Sequence, residues 1–86
     1  MQQQSVTLQN PTGLHARPGR QLVELAKKFN SDIRLVKENT RCNAKSLMKV
    51  LQAGFGEGST ITIECEGSDE EFALAALVDY VSNLKE

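Results

Sequence analysis

The chain has 86 residues, of which 40% are hydrophobic and 24% are charged, and it contains two cysteines and two prolines. This composition excludes a disulfide scaffold and a low-complexity chain. The length leaves room for one hydrophobic core, so we expect a single domain over residues 1–86. No apolar run approaches the ~20 residues of a membrane span, and the polar start MQQQSVTLQ lacks the pattern of a signal peptide. We therefore expect a cytoplasmic protein with reduced thiols and no membrane insertion.

The charged residues are unevenly distributed along the chain. Residues 1–50 contain nine Lys or Arg and three acids, a net charge of +6, whereas residues 51–86 contain one Lys and eight acids, a net charge of −7. A chain whose two halves have opposite net charges is expected to fold with one basic face and one acidic face. The basic face indicates an acidic partner or a phosphate. It does not by itself indicate nucleic acid, because the total charge is only −1.

One strand, one turn and one helix are predicted in the first thirty residues. Residues 5–8 alternate in polarity and predict a short strand, and the Pro and Gly of residues 10–13 predict a turn. A helix is predicted over residues 17–30, because apolar side chains recur there at helical spacing. These side chains are Leu22, Leu25, Ala26 and Phe29.

The middle of the chain predicts a hairpin followed by a short helix. Residues 32–37 and 40–43 read as two strands joined by a tight turn at residues 38–39. Residues 46–53 predict a helix with Ser46 as its N-cap, and three glycines within the next five residues end it.

Residues 60–66 give the clearest strand pattern in the chain. Ile61, Ile63 and Cys65 are expected on a buried face of the sheet, and the polar residues that alternate with them on a wet face. The polar residues are Thr60, Thr62, Glu64 and Glu66.

A last helix is predicted from a capping box, Ser68 followed by Glu71, to about residue 84. Because the chain begins at Met1 and ends on this helix near Lys85-Glu86, we expect it to be complete. The order βαββαβα, with amphipathic strands and helices, favours an α+β fold of two layers. We expect a four-stranded antiparallel sheet with all three helices on one face.

The single histidine, His15, lies in the segment GLHARP at residues 13–18, between the predicted turn and the first helix. A side chain at a helix N-terminus faces unpaired backbone N–H groups and the positive end of the helix dipole, which together favour an anion. A neutral imidazole can act as a nucleophile, and Arg17 can pair with phosphoryl oxygens. Arg20 adds positive charge one turn further on. The segment therefore predicts a histidine that accepts and holds a phosphoryl group.

Two other interpretations of His15 stay open on position alone. It can be an exposed helix-capping residue without a chemical role. It could also bind zinc together with Cys42 and Cys65, although Cys65 is expected on the core face and the spacings match no zinc motif. We expect no metal site, and cysteines that serve as small apolar residues.

The segment at residues 13–18, followed by NAKSLM at residues 43–48, resembles the histidine-containing phosphocarrier (HPr) family of the bacterial phosphoenolpyruvate:sugar phosphotransferase system. The resemblance covers the whole chain in length, element order and the positions of both motifs. It implies an open-faced β-sandwich and a phosphocarrier without a cofactor, rather than a turnover enzyme. It also implies that His15 accepts a phosphoryl group from enzyme I on its Nδ1 nitrogen and passes it to enzyme IIA domains.

The resemblance also implies roles for the residues around His15. Arg17 would stabilise the phosphate, and Thr12 and Gly13 would shape the loop before the histidine. An apolar docking patch is expected at Leu47, Met48, Val50 and Leu51, and a basic patch at Arg17, Arg20, Lys27, Lys45 and Lys49. The whole set expected to bind partners is Thr12, Ala16, Arg20, Lys27, Lys45, Leu47, Met48, Lys49 and Leu51.

Ser46 is the second site that the resemblance points to. In many firmicute members a kinase phosphorylates this serine, and the product regulates carbon catabolism, so an HPr kinase/phosphorylase and a catabolite regulator are possible partners. A phosphate would add negative charge at a helix N-terminus, which tolerates it, beside a surface that must meet acidic partners. The alternative is that Ser46 only caps its helix, and Lys49 weakens the regulated interpretation.

Two residues depart from the family pattern, because Gly19 and Arg20 stand where small apolar residues such as alanines are usual. They leave open a paralogue that serves a nitrogen-regulatory, fructose or dihydroxyacetone phosphorelay. A purely regulatory protein is a further alternative, although regulatory paralogues of the family lack the histidine. A small RNA-binding module shares part of the element order, but it would need aromatic residues in its strands, and we predict none there. We expect a monomer.

Overall fold

A computed structural model describes residues 1–85. Glu86, which was predicted to lie at the end of the last helix, is outside the described residues. Four strands and three helices follow each other in the predicted order βαββαβα. They are β1 (Gln2–Thr7), α1 (Ala16–Ala26), β2 (Asp32–Lys37), β3 (Thr40–Asn43), α2 (Leu47–Ala53), β4 (Thr60–Glu66) and α3 (Glu70–Ser82).

The four strands form one antiparallel sheet in the order β1-β4-β2-β3. Ile61, Ile63 and Cys65 of β4 are buried, as the alternation predicts, and the helices cover this face. On the opposite face hydroxyl groups bond across the β1–β4 pair, from Ser5 to Thr62 and from Thr7 to Thr60, both at 3.0 Å. The α+β fold with an open-faced sandwich is therefore confirmed.

Glu64 is an exception to the predicted wet face of β4, because it is buried. Its carboxylate accepts a hydrogen bond from Arg34 Nε at 3.2 Å, and Arg41 lies 3.8 Å away. Arg34 belongs to β2 and Arg41 to β3, so the cross-strand cations cover the acid on the open face. Long basic side chains shield such a group because their stems lie along the sheet while their charged ends pair with it.

Two of the predicted helices have different boundaries in the structure. The first helix ends at Ala26 rather than residue 30, because the next N–H groups, of Lys28 and Phe29, bond to carbonyls only three residues back. The third helix has Asp69 rather than Ser68 at its N-cap, and it ends at Ser82.

α1 and α2 lie side by side and run in opposite directions. At one end Leu14, just before α1, donates its N–H to the Phe55 carbonyl, just after α2, at 2.8 Å. At the other end Lys45, just before α2, donates from its ammonium group to the Phe29 carbonyl at 2.7 Å. Between them, a Cβ on Gly19 would lie 3.3 Å from Leu51 Cδ2. The antiparallel pair thus gives the helical layer two distinct ends, one at His15 and one at Ser46.

Candidate functional site

His15 is the N-cap residue of α1, with an extended backbone (φ −74°, ψ −173°) and no hydrogen bond from its side chain to the helix. Its carbonyl accepts the first helical bond, from the Gly19 N–H at 2.7 Å. Pro18 has no N–H, and the N–H groups of Ala16 and Arg17 point toward the N-terminal end of the helix. The imidazole is exposed. A nucleophile and the donors of a helix N-terminus therefore meet at one exposed point.

The loop before His15 is held by its own bonds and by the segment after α2. The Asn10 amide donates to the Gly13 carbonyl at 2.8 Å, and the Gly13 N–H donates to the Asn10 carbonyl at 3.2 Å. Gly13 has a φ of +60°, and a Cβ there would lie 2.6 Å from the Gly56 Cα. Only glycine combines that conformation with that approach, so Gly13 shapes the loop as the family resemblance implied.

An open cleft of about 370 Å³ lies beside the imidazole. Its walls come from the loop before α1, from the start of α1 and from the end of α2 with the segment after it. The lining residues are Thr12, Leu14, His15, Ala16, Leu51, Gly54, Phe55 and Gly56. The structure thus brings Thr12, Ala16 and Leu51 together with His15, as the sequence predicts.

The structure divides the predicted basic patch. Arg17 and Arg20 are exposed in the first turns of α1, next to His15. Lys27 is the C-cap of the same helix, roughly 18 Å from His15 along the axis at 1.5 Å per residue. Lys45 lies at that far end too, where it bonds to the Phe29 carbonyl. The predicted basic residues therefore extend from the His15 end of α1 to its far end.

Only part of the apolar patch predicted for docking is exposed. Met48 and Leu51 are 68% and 39% exposed, and they share one face of α2 because they are three residues apart. Leu47 is half-buried and packs against the core. Val50 is fully buried, so its assignment to the docking surface was wrong.

Ser46 caps α2 as predicted. It has an extended backbone, and its hydroxyl oxygen accepts a hydrogen bond from the Lys49 N–H at 3.3 Å. Lys49 is exposed and lies at this end of α2. The eight residue steps from Ser46 to Gly54 span roughly 12 Å of helix, so Ser46 lies at the opposite end of α2 from the His15 cleft.

The hydrogen bonds of Tyr80 in α3 were not predicted from the sequence. The Tyr80 hydroxyl donates to Gln21 Oε1 at 2.7 Å and lies 3.2 Å from the Pro18 carbonyl oxygen. Both acceptors belong to α1, close behind His15. The two segments are 59 and 62 residues apart in sequence, so no local pattern could have indicated the contact.

The cysteines do not join His15. Cys42 and Cys65 are buried in the core, whereas His15 is exposed. Burial raises the pKa of the Cys42 thiol and raises that of Cys65 to about 11, so both stay protonated at neutral pH and are poor metal ligands. Within residues 1–85 no group of three or more His, Cys, Asp or Glu side chains is placed to hold a metal ion.

None of the helices within residues 1–85 combines the length and the apolar character that a membrane-crossing helix requires.

Comparisons with known proteins agree with this geometry. The family model for the phosphorylation site of the HPr component of the phosphotransferase system matches residues 2–83. HPr from Thermoanaerobacter tengcongensis is 41% identical over 95% of this chain and 92% of its own, with a TM-score of 0.93. HPr from Bacillus anthracis is 44% identical over 93% and 95%, with a TM-score of 0.89.

The structural relatives include a regulatory branch. The catabolite repression protein Crh from Bacillus subtilis is 39% identical over 95% of this chain and 94% of its own, with a TM-score of 0.77, and its crystal structure is a domain-swapped dimer. The family model matches almost the whole chain, and two HPr proteins are more than 40% identical to it. This chain therefore belongs to the HPr family of the phosphotransferase system.

Proposed function

We propose that this chain is a cytoplasmic phosphocarrier that takes a phosphoryl group from enzyme I on His15 and passes it to enzyme IIA domains. The observation that carries the proposal is the position of His15, exposed at the N-terminus of α1 and beside an open cleft. Membership of the HPr family supports the same assignment.

The chemistry uses the neutral form of imidazole, which is the nucleophilic one. With its proton on Nε2, the ring has a free lone pair on Nδ1. That pair forms a bond to phosphorus while the bond between phosphorus and the donor breaks and returns its electron pair to the donor. The N–H groups of the first turn and the Arg17 guanidinium then hold the phosphoryl oxygens. The chain is consumed and regenerated in each cycle, so it acts as a carrier and not as a turnover enzyme.

The test is phosphorylation by enzyme I with labelled phosphoenolpyruvate. The product is expected to be labile in acid and stable in base, as phosphohistidine is. His15→Ala should remove all labelling while the fold survives, because the exposed ring makes no hydrogen bond to the helix. Labelling of His15→Ala at the parent's rate would rule out the proposal.

A second function is favoured by Ser46. Its hydroxyl is half-buried at the N-cap of α2, where the helix dipole tolerates a phosphate, and the exposed Met48 lies two residues on. We propose that phosphorylation here regulates docking, as the resemblance to family members with a phosphorylated serine at this position implies. Incubation with an HPr kinase/phosphorylase and ATP should give an acid-stable label, and Ser46→Ala should abolish it. An unlabelled parent would leave Ser46 as a cap alone.

We also propose that the carrier acts as a monomer. Crh and one T. tengcongensis HPr form dimers in their structures, so the oligomeric state needs a direct measurement. Light scattering after size-exclusion chromatography should give a mass close to 9.5 kDa at all loading concentrations, and a stable mass of twice that value would contradict the proposal.

Parallel transfer assays decide which IIA domains accept the phosphoryl group. The candidates are the IIA domains of sugar, nitrogen-regulatory, fructose and dihydroxyacetone systems.

A further inference from the structure

The hydroxyl of Tyr80 joins α3 to the face of α1 that follows His15. It donates to Gln21 Oε1 at 2.7 Å, and the Pro18 carbonyl oxygen lies 3.2 Å away. Tyr80 itself is half-buried, whereas Gln21 is exposed. The shorter of the two distances is that of a strong O–H···O bond, so the Gln21 side chain is the main acceptor.

This bond determines how the Gln21 amide is turned. A carboxamide has an acceptor oxygen on one side and two N–H donors on the other. Because the oxygen is bonded to Tyr80, the NH₂ group points away from α3. Gln21 follows Arg17 by four residues, and residues at that spacing share a helix face. Arg17, Arg20 and Gln21 together therefore turn only N–H donors outward.

We propose that Tyr80 is a positioning residue that fixes Gln21 as a hydrogen-bond donor within the docking face beside His15. The inference rests on the proposed function, in which this face meets an acidic protein partner. A freely rotating Gln21 would present its oxygen to a partner carboxylate in part of its conformations. Holding the amide in one orientation removes that repulsion and lowers the entropy lost on docking.

The experiment measures KM and kcat for phosphorylation of this chain by enzyme I. Tyr80→Phe keeps the ring and removes the hydroxyl, and we expect KM to rise about two- to five-fold, the effect of ordering one side chain, with kcat unchanged. Gln21→Ala should raise KM to a similar extent. In the double variant the tyrosine substitution should add nothing, because its effect passes through Gln21. An unchanged KM in Tyr80→Phe, or additive effects in the double variant, would overturn the proposal.

A second variant tests the orientation from the side of α1. Gln21→Glu keeps an oxygen that accepts from Tyr80 but turns a second, charged oxygen toward the partner, so its KM should exceed that of Gln21→Ala. Equal KM values would contradict the proposal. Ser5→Ala, which removes a hydroxyl bonded to Thr62 on the open face of the sheet, is the control and should leave KM unchanged. If the parent itself is not phosphorylated, the proposed function fails, whereas a phosphorylated parent with unaffected variants refutes only the role of Tyr80.

Discussion

Asp69 connects two segments that are far apart in the sequence. Its carboxylate accepts hydrogen bonds from the Asn30 N–H at 2.8 Å, from the Ser31 N–H at 2.9 Å, and from the Ser31 hydroxyl. These bonds hold the pKa of Asp69 below its ordinary value of 3.8, and the bond from the Ser31 hydroxyl has the largest effect. The Gly67 N–H likewise lowers the pKa of Glu70 from its ordinary 4.5. Both carboxylates therefore stabilise the fold in their ionised form.

The first prediction concerns acid. A folded-state pKa below the unfolded value means that the unfolded chain takes up the proton first as pH falls. The stability from Asp69 and Glu70 is therefore complete above about pH 5 and is lost as pH falls through their lowered pKa values. Tm followed by circular dichroism should decline below about pH 4.5. Asp69→Asn still accepts a bond but does not titrate, so its Tm should be lower at neutral pH and should decline less steeply in acid. Parallel declines in parent and variant would contradict the assignment.

The second prediction concerns Ser46→Asp. Aspartate is as good an N-cap as serine, and its charge favours a helix N-terminus by ~0.3–1 kcal/mol, so the free energy of unfolding should stay the same or rise slightly. The charge lies near the exposed Met48, where the proposed function expects an acidic partner to dock, so the initial rate of phosphorylation by enzyme I should fall. Stability and activity should thus change in opposite directions.

Ser46→Asn is the matched control, because it retains the cap and adds no charge. It should keep the parent's phosphorylation rate, which separates an electrostatic effect from a loss of capping. If Ser46→Asp is phosphorylated as fast as the parent, charge at this position does not govern docking, and Ser46 is a cap only.

For a single residue, the sequence predicts the hydrogen bonds well only when the bonded residues are close together in the chain. Ser46 bonds to Lys49, three residues away, and such a bond leaves a local pattern that identifies the cap. Asp69 bonds to residues 38 and 39 positions away, and the neighbouring Ser68 gives a misleading capping signal. For that reason the cap of α2 was predicted correctly, whereas that of α3 was not.

The pair of α1 and α2 leads to a prediction at the scale of elements. Gly19 is buried in α1, and a Cβ there would lie 3.3 Å from Leu51 Cδ2. That atom is the end of a flexible side chain that is 39% exposed, so it can move aside. Gly19→Ala should then stabilise the protein by up to ~1 kcal/mol, the difference in helix propensity, in chemical denaturation.

Gly13→Ala is the contrasting variant. Its Cβ would lie 2.6 Å from the Gly56 Cα at a φ of +60°, and neither backbone can yield, so it should destabilise the protein by more than ~2 kcal/mol. A destabilised Gly19→Ala would show that Leu51 cannot move and that close approach of the two helices requires the glycine.

The elements themselves were largely predictable, because alternation along β4 and helical spacing along α1 are strong local patterns. α2 was different. Four of its first five residues are apolar, so the sequence alone does not distinguish the buried face from the exposed one. Packing against the core buries Val50 and leaves Met48 outside, which corrects the predicted docking patch. The end of α1 also depends on how the following residues fold. The predicted end, at residue 30, was four residues too late.

At the scale of the whole molecule, opposite charges form ion pairs on the sheet, whereas basic and acidic residues lie on different helices. Arg34 lies 3.2 Å from Glu64 and 3.5 Å from Glu66 on the open face. α3 carries three acids and no Lys or Arg. The first two helices with their flanking residues 27, 28 and 45 carry six cations and one acid. The predicted basic face thus belongs to α1 and α2, and it is spread over both of their ends.

The last prediction follows from that spread. Charges act on a docking partner within about a Debye length, ~10 Å at 0.1 M salt. Arg17 and Arg20 lie within this distance of His15 along α1, whereas Lys27 is roughly 18 Å away. The KM for enzyme I should therefore rise with salt between about 0.05 and 0.5 M NaCl. Arg17→Ala should raise KM and lower kcat at low salt, because in the proposed function this side chain also contacts the phosphoryl group.

Lys27→Ala removes the same charge from the same helix and serves as the control. Rim charges change the rate of encounter and are screened by salt, whereas a charge that contacts the transferred group acts on the chemical step and is screened much less. Lys27→Ala should therefore affect KM slightly and only at low salt, while the loss of kcat in Arg17→Ala should persist at high salt. A KM that is constant across the salt range would exclude an electrostatic docking face. Equal effects of the two variants would show that Arg17 contributes only net charge and does not contact the phosphoryl group.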